Sequence, residues 1–311
     1  MESDLSEFER RVMREQPDAV PRHVPVLVQE VLAGLAPAAG ETWVDCTVGA
    51  GGHSILLAER VGPTGRLVGL DRDPAMLALA RPRLNHPWVT LVHASFDQLG
   101  AVLNRLGIHS VDGVLADLGV CSDQLDDPLR GLSFRHDGPL DMRLDPTADR
   151  TAADLIAELN ERELADIIFR YGEERYSRRI ARQLVEARRL QPIRTTGQLA
   201  ELIRRCVPRE RRPGAIDPAT RTFQALRVAV NEELAALETL LHQLPQWVRP
   251  GGRVGMISFH SLEDRLVKHA FRNRADWQPL TKKPVEASLD EQRLNPRSRS
   301  AKLRIAQRVG R

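Results

Sequence analysis

The chain has 311 residues, of which 42% are hydrophobic and 28% are charged, and its formal net charge is +3. This composition suits one large hydrophobic core, or one core and a smaller second unit. No apolar run approaches the roughly 18 residues that a transmembrane helix needs. The start of the chain lacks the apolar stretch of a secretory signal, and its polarity predicts a disordered tail over residues 1–22.

The three cysteines, Cys46, Cys121 and Cys206, are far apart and form no C-x-x-C pair. This spacing predicts neither a disulfide framework nor a zinc site, and it fits a protein of the reducing cytoplasm. His53 and His93 have no neighbours at metal-ligand spacing, so we predict no metal site there.

Short apolar strands alternate with helices over the first part of the chain. The strands are predicted at Thr42–Thr47, Arg66–Leu70, Val89–His93 and Val111–Asp117, and the helices at Ser54–Val61, Pro74–Leu84 and Gln98–Leu106. This alternation is typical of an α/β fold, in which helices cover both faces of a parallel sheet.

Strand patterns stop after residue 124, and helical spacing replaces them up to residue 219. The sequences Thr151-x-x-Asp154 and Thr195-x-x-Gln198 have the form of capping boxes that begin helices. We therefore predict an inserted all-helical domain over residues 125–219. Residues 23–124 and 220–311 would then together form the α/β domain.

Strand and helix patterns alternate again after the insertion. We predict a long helix over Phe223–Leu244, a fifth strand over Arg253–Phe259 and a helix over Ser261–Arg272, with Ser261 as its N-cap. Two further strands are predicted near Pro279–Val285 and Lys302–Val309.

A glycine loop follows the first strand, and it is the main indication of a ligand site. Gly49, Gly51 and Gly52 allow a ligand to approach the backbone, and the helix that follows offers free N–H groups to it. Asp71 ends the second strand 20 residues beyond Gly51. In doubly wound folds an acidic residue at this place accepts hydrogen bonds from ribose hydroxyls.

NAD, a flavin dinucleotide and S-adenosylmethionine all fit a loop of this kind. Asp45 lies just before the loop, where a carboxylate would repel a pyrophosphate but attract the cationic end of S-adenosylmethionine. Ser54 stands where the dinucleotide fingerprint has Gly or Ala. We therefore assign Asp45 to cofactor binding and favour S-adenosylmethionine, and an NAD-dependent oxidoreductase is the competing enzyme class.

Four residues near strand ends are candidates for contact with the reacting groups. Phe96 follows the third strand and either stacks on an adenine or covers the sheet edge. Asp117 ends the fourth strand, where it either accepts a hydrogen bond from an amine beside the cofactor methyl or caps the next turn. After the fifth strand, Phe259 can stack on a base, and His260 either relays a proton or packs in the loop.

Positive charge is concentrated near the C-terminus, where residues 292–311 contain seven Lys or Arg and no Asp or Glu. We predict substrate contacts for Arg297, Arg299 and Lys302. A second arginine-rich stretch runs from Arg188 to Arg227. Both suit a polyphosphate partner, and a solvated basic face is the alternative.

Several long and unusual segments carry a family resemblance. They are HVPVL (His23–Leu27), DCTVGAGGHS (Asp45–Ser54), LDRDP (Leu70–Pro74), ADLGVCSDQLD (Ala116–Asp126), RGLSFRHDGPLDMRLD (Arg130–Asp145), EERYSRRIARQLVEAR (Glu173–Arg188), RTFQALRVAVNEEL (Arg221–Leu234), ISFHSLEDRLVK (Ile257–Lys268) and NPRSRSAKLR (Asn295–Arg304). Across residues 23–308 the chain resembles the MraW/RsmH family of bacterial 16S ribosomal RNA cytosine-N4 methyltransferases. Cys121 departs from the family pattern, where we expect a serine.

The resemblance implies a class I methyltransferase fold, an inserted helical domain that helps to recognise RNA, and S-adenosylmethionine as cofactor. It implies a cytosine of the decoding centre in 16S ribosomal RNA of the small subunit as substrate. The N4 target rests on the resemblance alone, since the chain lacks the Asp/Asn-Pro-Pro-aromatic motif of amino-methylating DNA enzymes. The implied cofactor contacts are Gly51, Gly52, His53, Asp71, Phe96, Asp117 and Gln124.

A different class of function also fits the arginine clusters. A non-catalytic RNA-binding assembly factor could retain the same cofactor pocket. The sequence does not fix the oligomeric state, and a homodimer is compatible with it.

Overall fold

The computed structural model describes residues 24–208 and 216–310, so the tail predicted over residues 1–22 lies outside the described residues. The strands of the described chain are β1 (Thr42–Asp45), β2 (Arg66–Asp71), β3 (Val89–His93), β4 (Val111–Asp117), β5 (Val248–Ser258), β6 (Trp277–Pro279), β7 (Val285–Glu286) and β8 (Lys302–Arg308). The helices are α1 (Val28–Leu35), α2 (Gly52–Val61), α3 (Pro74–Ala80), α4 (Leu99–Arg105), α5 (Ser122–Asp126), α6 (Ala152–Glu158), α7 (Glu161–Gly172), α8 (Ser177–Leu190), α9 (Thr196–Cys206), α10 (Thr220–Val230), α11 (Glu233–Trp247), α12 (Ser261–Asn273) and α13 (Leu289–Leu294).

The strands form one mixed sheet in the order β3-β2-β1-β4-β5-β8-β6, with β7 paired to β8 off this path. β1 to β5 run parallel, as predicted, and β8 runs antiparallel to β5, β6 and β7. The chain order reverses between β1 and β4. In open α/β sheets, ligands bind beyond the carboxyl ends of the strands at such a point.

Helices cover both faces of the sheet, as predicted, and each face has its own hydrophobic cluster. On one face α4, α11 and α12 bury side chains such as Leu103, Leu240 and Phe271. On the other face α1 and α2 bury Leu35 and Leu57. Full burial of one such side chain stabilises a fold by roughly 1.5–3 kcal/mol, so these two clusters fix the position of the strand ends.

A third cluster lies among the helices between β4 and β5, and we call residues 127–230 the helical segment. Its core includes Ile156, Ile168, Leu184 and Ile203 from four successive helices. The capping boxes predicted at Thr151 and Thr195 begin α6 and α9, and both are confirmed.

The long helix predicted over Phe223–Leu244 is wrong, because α10 and α11 are separate helices. Glu232 between them has a φ of 49°, in the left-handed region that interrupts a helix. The buried Asn231 side chain stabilises the break by donating to Met142 O at 2.8 Å and accepting from Leu144 N at 2.8 Å. Each of the two helices has its own apolar face, so the spacing of apolar residues along the chain does not reveal the break.

The two helices also pack in different places. Phe223 and Leu226 of α10 belong to the cluster of the helical segment, whereas Leu237 and Leu241 of α11 belong to the sheet cluster. Packing therefore groups α10 with the helical segment, although we had assigned residues 220–311 to the α/β domain.

The single strand predicted near Pro279–Val285 is also wrong. Two short strands, β6 and β7, replace it, and they pair with β8 at Trp277↔Arg308 and Val285↔Leu303. Pro284 between them has no N–H to donate to a strand ladder, which explains the interruption.

Among the described residues, no helix combines the length and the apolar character required to cross a bilayer.

Candidate active site

A cleft that is partly open to solvent lies at the carboxyl ends of the parallel strands. Asp71 at the end of β2 and Asp117 at the end of β4 both line it. The sequence had placed these two carboxylates at strand ends, and the parallel order of the sheet brings them to one edge. Phe96 and Gln124 also line this cleft, as the sequence predicts.

The glycine loop forms one wall of the cleft. Gly51 is the N-cap of α2 and has a φ of 92°, which favours glycine. Gly49, Gly52 and His53 line the cleft. Gly51 lies on the side of the loop away from the cleft, where a Cβ atom added to it would be 3.3 Å from Leu84 Cδ1.

Asp45 does not line the cleft, which corrects its predicted role in cofactor binding. Its side chain is 1% exposed and accepts hydrogen bonds from Ser54 Oγ at 2.5 Å and Thr47 N at 3.0 Å. Burial raises the pKa of Asp45, and the bonds from Ser54 and Thr47 act in the opposite direction. Asp45 therefore connects β1 to the start of α2 and stabilises the loop between them. Its partner is Ser54, which the sequence analysis considered only as evidence on which ligand binds.

Asp71 is held by two backbone groups. Its carboxylate accepts from Gly49 N at 2.7 Å and from Asp73 N at 2.8 Å. Burial raises the pKa of Asp71 to about 6, and these hydrogen bonds oppose the rise. A carboxylate has about four acceptor positions, so Asp71 can still accept hydrogen bonds from a ligand in the cleft.

Asp73 and Arg130 support this part of the cleft, and the sequence analysis missed both. The buried Asp73 carboxylate accepts from Gln124 Nε2 at 2.7 Å and from Arg130 Nη2 at 2.7 Å. It also caps α3 by accepting from Ala75 N at 3.0 Å. The Asp-Pro pair at the start of α3 was the available indication, since it is a common helix start.

Asp117 is the most isolated carboxylate of the cleft. Its Oδ1 atom is buried and has no hydrogen-bond partner among the described residues, and its Oδ2 atom lies 3.8 Å from His53 Nε2. Burial raises the pKa of Asp117 well above its usual range, and the nearby charges of Asp45 and Glu263 raise it further. A buried acceptor without a partner is unfavourable unless a ligand supplies a donor.

The turn after β5 brings Phe259 into the cleft but not His260. The prediction that Ser261 caps α12 is wrong, because His260 is the N-cap. Its Nδ1 atom accepts from Glu263 N at 3.4 Å, and its Nε2 atom lies 3.2 Å from Glu263 Oε1. Both ring nitrogens thus face the first turn of α12, which argues against contact between His260 and a substrate.

Two glutamates that the sequence analysis missed, Glu233 and Glu263, also line the cleft. With His260 they form a group whose ligand atoms lie within 4.8 Å of one another, as in a metal site. Arg227 already holds both oxygens of Glu233, at 2.8 and 2.9 Å. Burial opposes the ionisation of Glu263, but hydrogen bonding and charge interaction with His260, followed by the Phe259 N–H bond, lower its pKa. Both carboxylates are therefore already engaged by groups of the protein.

The basic residues predicted to bind substrate lie outside the cleft lining. Arg297 pairs with Asp126 at 3.0 Å and is 32% exposed, so its charge is largely compensated. Arg299 is exposed and Lys302 is half-buried at the start of β8. The structure does not bring these three residues to the reacting end of the cleft.

The sheet order and the cleft define a class I methyltransferase fold. Among solved structures, the chain is similar to the O-methyltransferase of Thermotoga maritima, with a TM-score of 0.44, 10% identity, and coverage of 99% of this chain and 72% of that one. It is also similar to Aeropyrum pernix fibrillarin in complex with S-adenosyl-L-methionine, with a TM-score of 0.41, 10% identity, and coverage of 89% and 74%.

Residues 21–309 match the MraW methylase family, and the chain belongs to that family. The ribosomal RNA small subunit methyltransferase H of Sorangium cellulosum is 53% identical over 291 residues, which are 93% of this chain and 91% of that protein. The protein of the same name from Synechococcus elongatus is 51% identical over 287 residues, 92% and 95% of the two chains.

The cofactor of this methyltransferase is S-adenosyl-L-methionine, and the cleft residues fit it. Four carboxylates line the cleft, those of Asp71, Asp117, Glu233 and Glu263, against one guanidinium, that of Arg72. Arg227 already neutralises Glu233, but carboxyl groups still outnumber guanidinium groups in the lining, which favours a ligand that carries sulfonium and ammonium groups over a pyrophosphate. The acceptor atom of Asp117 without a partner points to the same kind of ligand.

Proposed function

We propose that this chain transfers a methyl group from S-adenosyl-L-methionine to the N4 amine of one cytidine in the decoding region of 16S ribosomal RNA. Membership of the MraW methylase family and relatives named for the ribosomal small subunit support this proposal. The single structural observation that carries it is the buried Asp117 oxygen without a partner, at a strand end beside the glycine loop.

Asp71, Phe96 and Gln124 would hold the nucleoside part of the cofactor. The Asp71 carboxylate accepts hydrogen bonds from ribose hydroxyls, as expected for an acidic residue that ends the second strand. Phe96 offers a ring face to the adenine. The side chain of Gln124 is fixed by its bond to Asp73 at 2.7 Å, so its position is set before the cofactor binds.

Bound S-adenosyl-L-methionine supplies an electrophilic methyl group on a cationic sulfur. Asp117 accepts a hydrogen bond from the N4–H of cytosine, which shifts electron density to the nitrogen and aims its lone pair at the methyl carbon. With the cofactor bound, its sulfonium would supply the methyl group, and the nitrogen that receives it would release one proton. The Asp117 carboxylate is placed to accept this proton.

Phe259 would stack on the target cytosine. Its backbone N–H donates to Glu263 Oε2 at 2.9 Å, and His260 caps the same turn. His260 and Glu263 therefore position the aromatic ring without touching the base. Stacking on an aromatic side chain is a common way of holding an unstacked base.

The helical segment would form a domain that recognises the RNA around the target. It has its own hydrophobic cluster, and we propose that it ends with α10 at Val230 instead of at residue 219. Its partner would be 16S ribosomal RNA within the small subunit.

Mass spectrometry of nucleosides tests the proposed function. Small subunits that lack the modification are incubated with the enzyme and cofactor, and their 16S RNA is digested. We expect N4-methylcytidine at one decoding-region position, and Asp117→Asn provides the matched control with little product. A folded protein that binds cofactor and RNA but forms no methylated nucleoside would support the assembly-factor alternative instead.

A further inference from the structure

Four of the six basic residues that the structure describes in the C-terminal stretch pair with carboxylates. Arg304 pairs with Asp264 at 2.7 Å and Arg308 with Asp276 at 3.4 Å. Arg297 pairs with Asp126, and Arg293 with Asp290 at 3.1 Å. Arginines that already contact carboxylates contribute little further attraction to a polyphosphate, so this stretch is a poor candidate for the main RNA surface.

Four described arginines of the second arginine-rich stretch are also engaged internally. Arg188 donates to Leu159 O at 2.6 Å. Arg204 pairs with Asp217 at 2.9 Å, and Arg205 pairs with Glu201. Arg227 is buried against Glu233. The number of arginines in this stretch therefore overstates the positive charge that is available to a partner.

A different surface carries arginines without such partners. One depression at the junction of α7 and α8 is lined by four arginines, two aromatic residues and one carboxylate, that of Asp166. We call its arginines and rings, Phe169, Arg170, Arg175, Tyr176, Arg178 and Arg179, the α7–α8 patch. Its four arginines are exposed. None of them makes an ion pair or a hydrogen bond with another residue in the described ranges.

The α7–α8 patch also presents aromatic rings. Phe169 is 60% exposed, which is unusual for a large aromatic side chain. The guanidinium of Arg175 lies 4.8 Å from the centre of the Tyr176 ring. One exposed ring and one half-buried ring among arginines without ion-pair partners suit unstacked bases joined by phosphates.

The patch is tied to the turn that carries Phe259. Glu173 lies between α7 and α8, accepts a hydrogen bond from Ser261 Oγ and pairs with Arg265 at 3.0 Å. Ser261 is two residues beyond Phe259. This contact links the α7–α8 junction to the turn that carries Phe259.

From this arrangement we propose that the α7–α8 patch binds the single-stranded RNA that flanks the target nucleotide, with the arginines on phosphates and Phe169 against a base. The proposal rests on the proposed function for the identity of the RNA. It assigns the main electrostatic contribution to the helical segment and not to the C-terminal stretch.

The test compares two variants that lose the same charge from the helical segment. The patch variant is Arg175→Ala/Arg178→Ala/Arg179→Ala, and the control is Arg150→Ala/Arg182→Ala/Arg205→Ala, whose arginines lie near Glu158, Glu161 and Glu201. Fluorescence polarisation with a labelled decoding-region oligonucleotide measures RNA affinity at several salt concentrations. Calorimetry with S-adenosyl-L-methionine measures cofactor affinity separately, and thermal melting confirms that both variants fold.

We expect the patch variant to bind RNA about tenfold or more weakly near physiological salt, with a salt slope reduced by roughly two. The control should stay within about threefold of the wild type, and cofactor affinity should be unchanged in both. Equal losses in the two variants, or no loss in the patch variant, would overturn the proposal. A loss seen only with assembled subunits would also overturn it, because the patch would then contact a ribosomal protein. Wild-type binding without methylation would refute the proposed function but leave the binding surface intact.

Discussion

The guanidinium of Arg130 lies 2.7 Å from the fully buried carboxylate of Asp73. The same carboxylate fixes Gln124 in the cleft. Removing one partner of a buried ion pair leaves an uncompensated charge and destabilises a fold by roughly 3–5 kcal/mol. Arg130→Met should therefore lower the free energy of unfolding by about 3 kcal/mol or more, measured by denaturant titration, and should weaken cofactor binding.

The control for this prediction is Arg205→Met. Arg205 pairs with Glu201 on the surface and is 67% exposed, and an exposed pair on one helix contributes only about 0.3–0.5 kcal/mol. Similar losses in the two variants would show that the Arg130–Asp73 pair has no special role.

Cofactor binding should depend on the ionisation of Asp71. The ionised carboxylate is the stronger acceptor for ribose hydroxyls, and burial raises the pKa of Asp71 to about 6. Affinity should therefore rise with pH through this value, and it should be about tenfold weaker at about pH 5 than at about pH 8. Calorimetric titration measures this change, and Asp71→Asn should remove most of it along with much of the affinity. A flat profile in the wild type would exclude this role.

Two substitutions distinguish a helix-capping role of His260 from a role as a proton relay. Asparagine is a good N-cap, so His260→Asn should keep most of the stability and turnover. His260→Ala should lose about 0.5–2 kcal/mol of stability, measured by chemical denaturation. If His260 relayed a proton, both variants would lose turnover to a similar extent, whatever their stability.

Asp117→Asn should reduce the single-turnover rate of methyl transfer by about a hundredfold or more, the usual range for loss of a general base. The amide still accepts a hydrogen bond but cannot take the proton. Rates are measured with labelled cofactor at saturating RNA, and RNA affinity should change little. A rate within a few fold of the wild type would remove Asp117 from the chemistry.

The sheet and its strand ends could be predicted from the sequence because the relevant interactions are local. The apolar runs predicted β3 at its observed bounds. The alternation of strand and helix patterns placed Asp71 and Asp117 at strand ends, where the structure has them. The break at Asn231 could not be predicted, since it depends on hydrogen bonds to Met142 and Leu144, which are 89 and 87 residues away in the chain.

The roles of charged residues were predictable only in part. Asp45 and Arg297 looked like ligand contacts because a sequence shows charge but not the partner that neutralises it. The partners, Ser54 and Asp126, are brought near by the fold. The free arginines of the α7–α8 patch were missed for the same reason.

The most direct test of the whole account is a co-crystal structure with S-adenosyl-L-methionine. We expect the ribose hydroxyls on Asp71, the adenine against Phe96, and the methyl group directed at Asp117 with Phe259 opposite. Cofactor bound outside this cleft, or bound with its methyl group turned away from Asp117, would contradict the account.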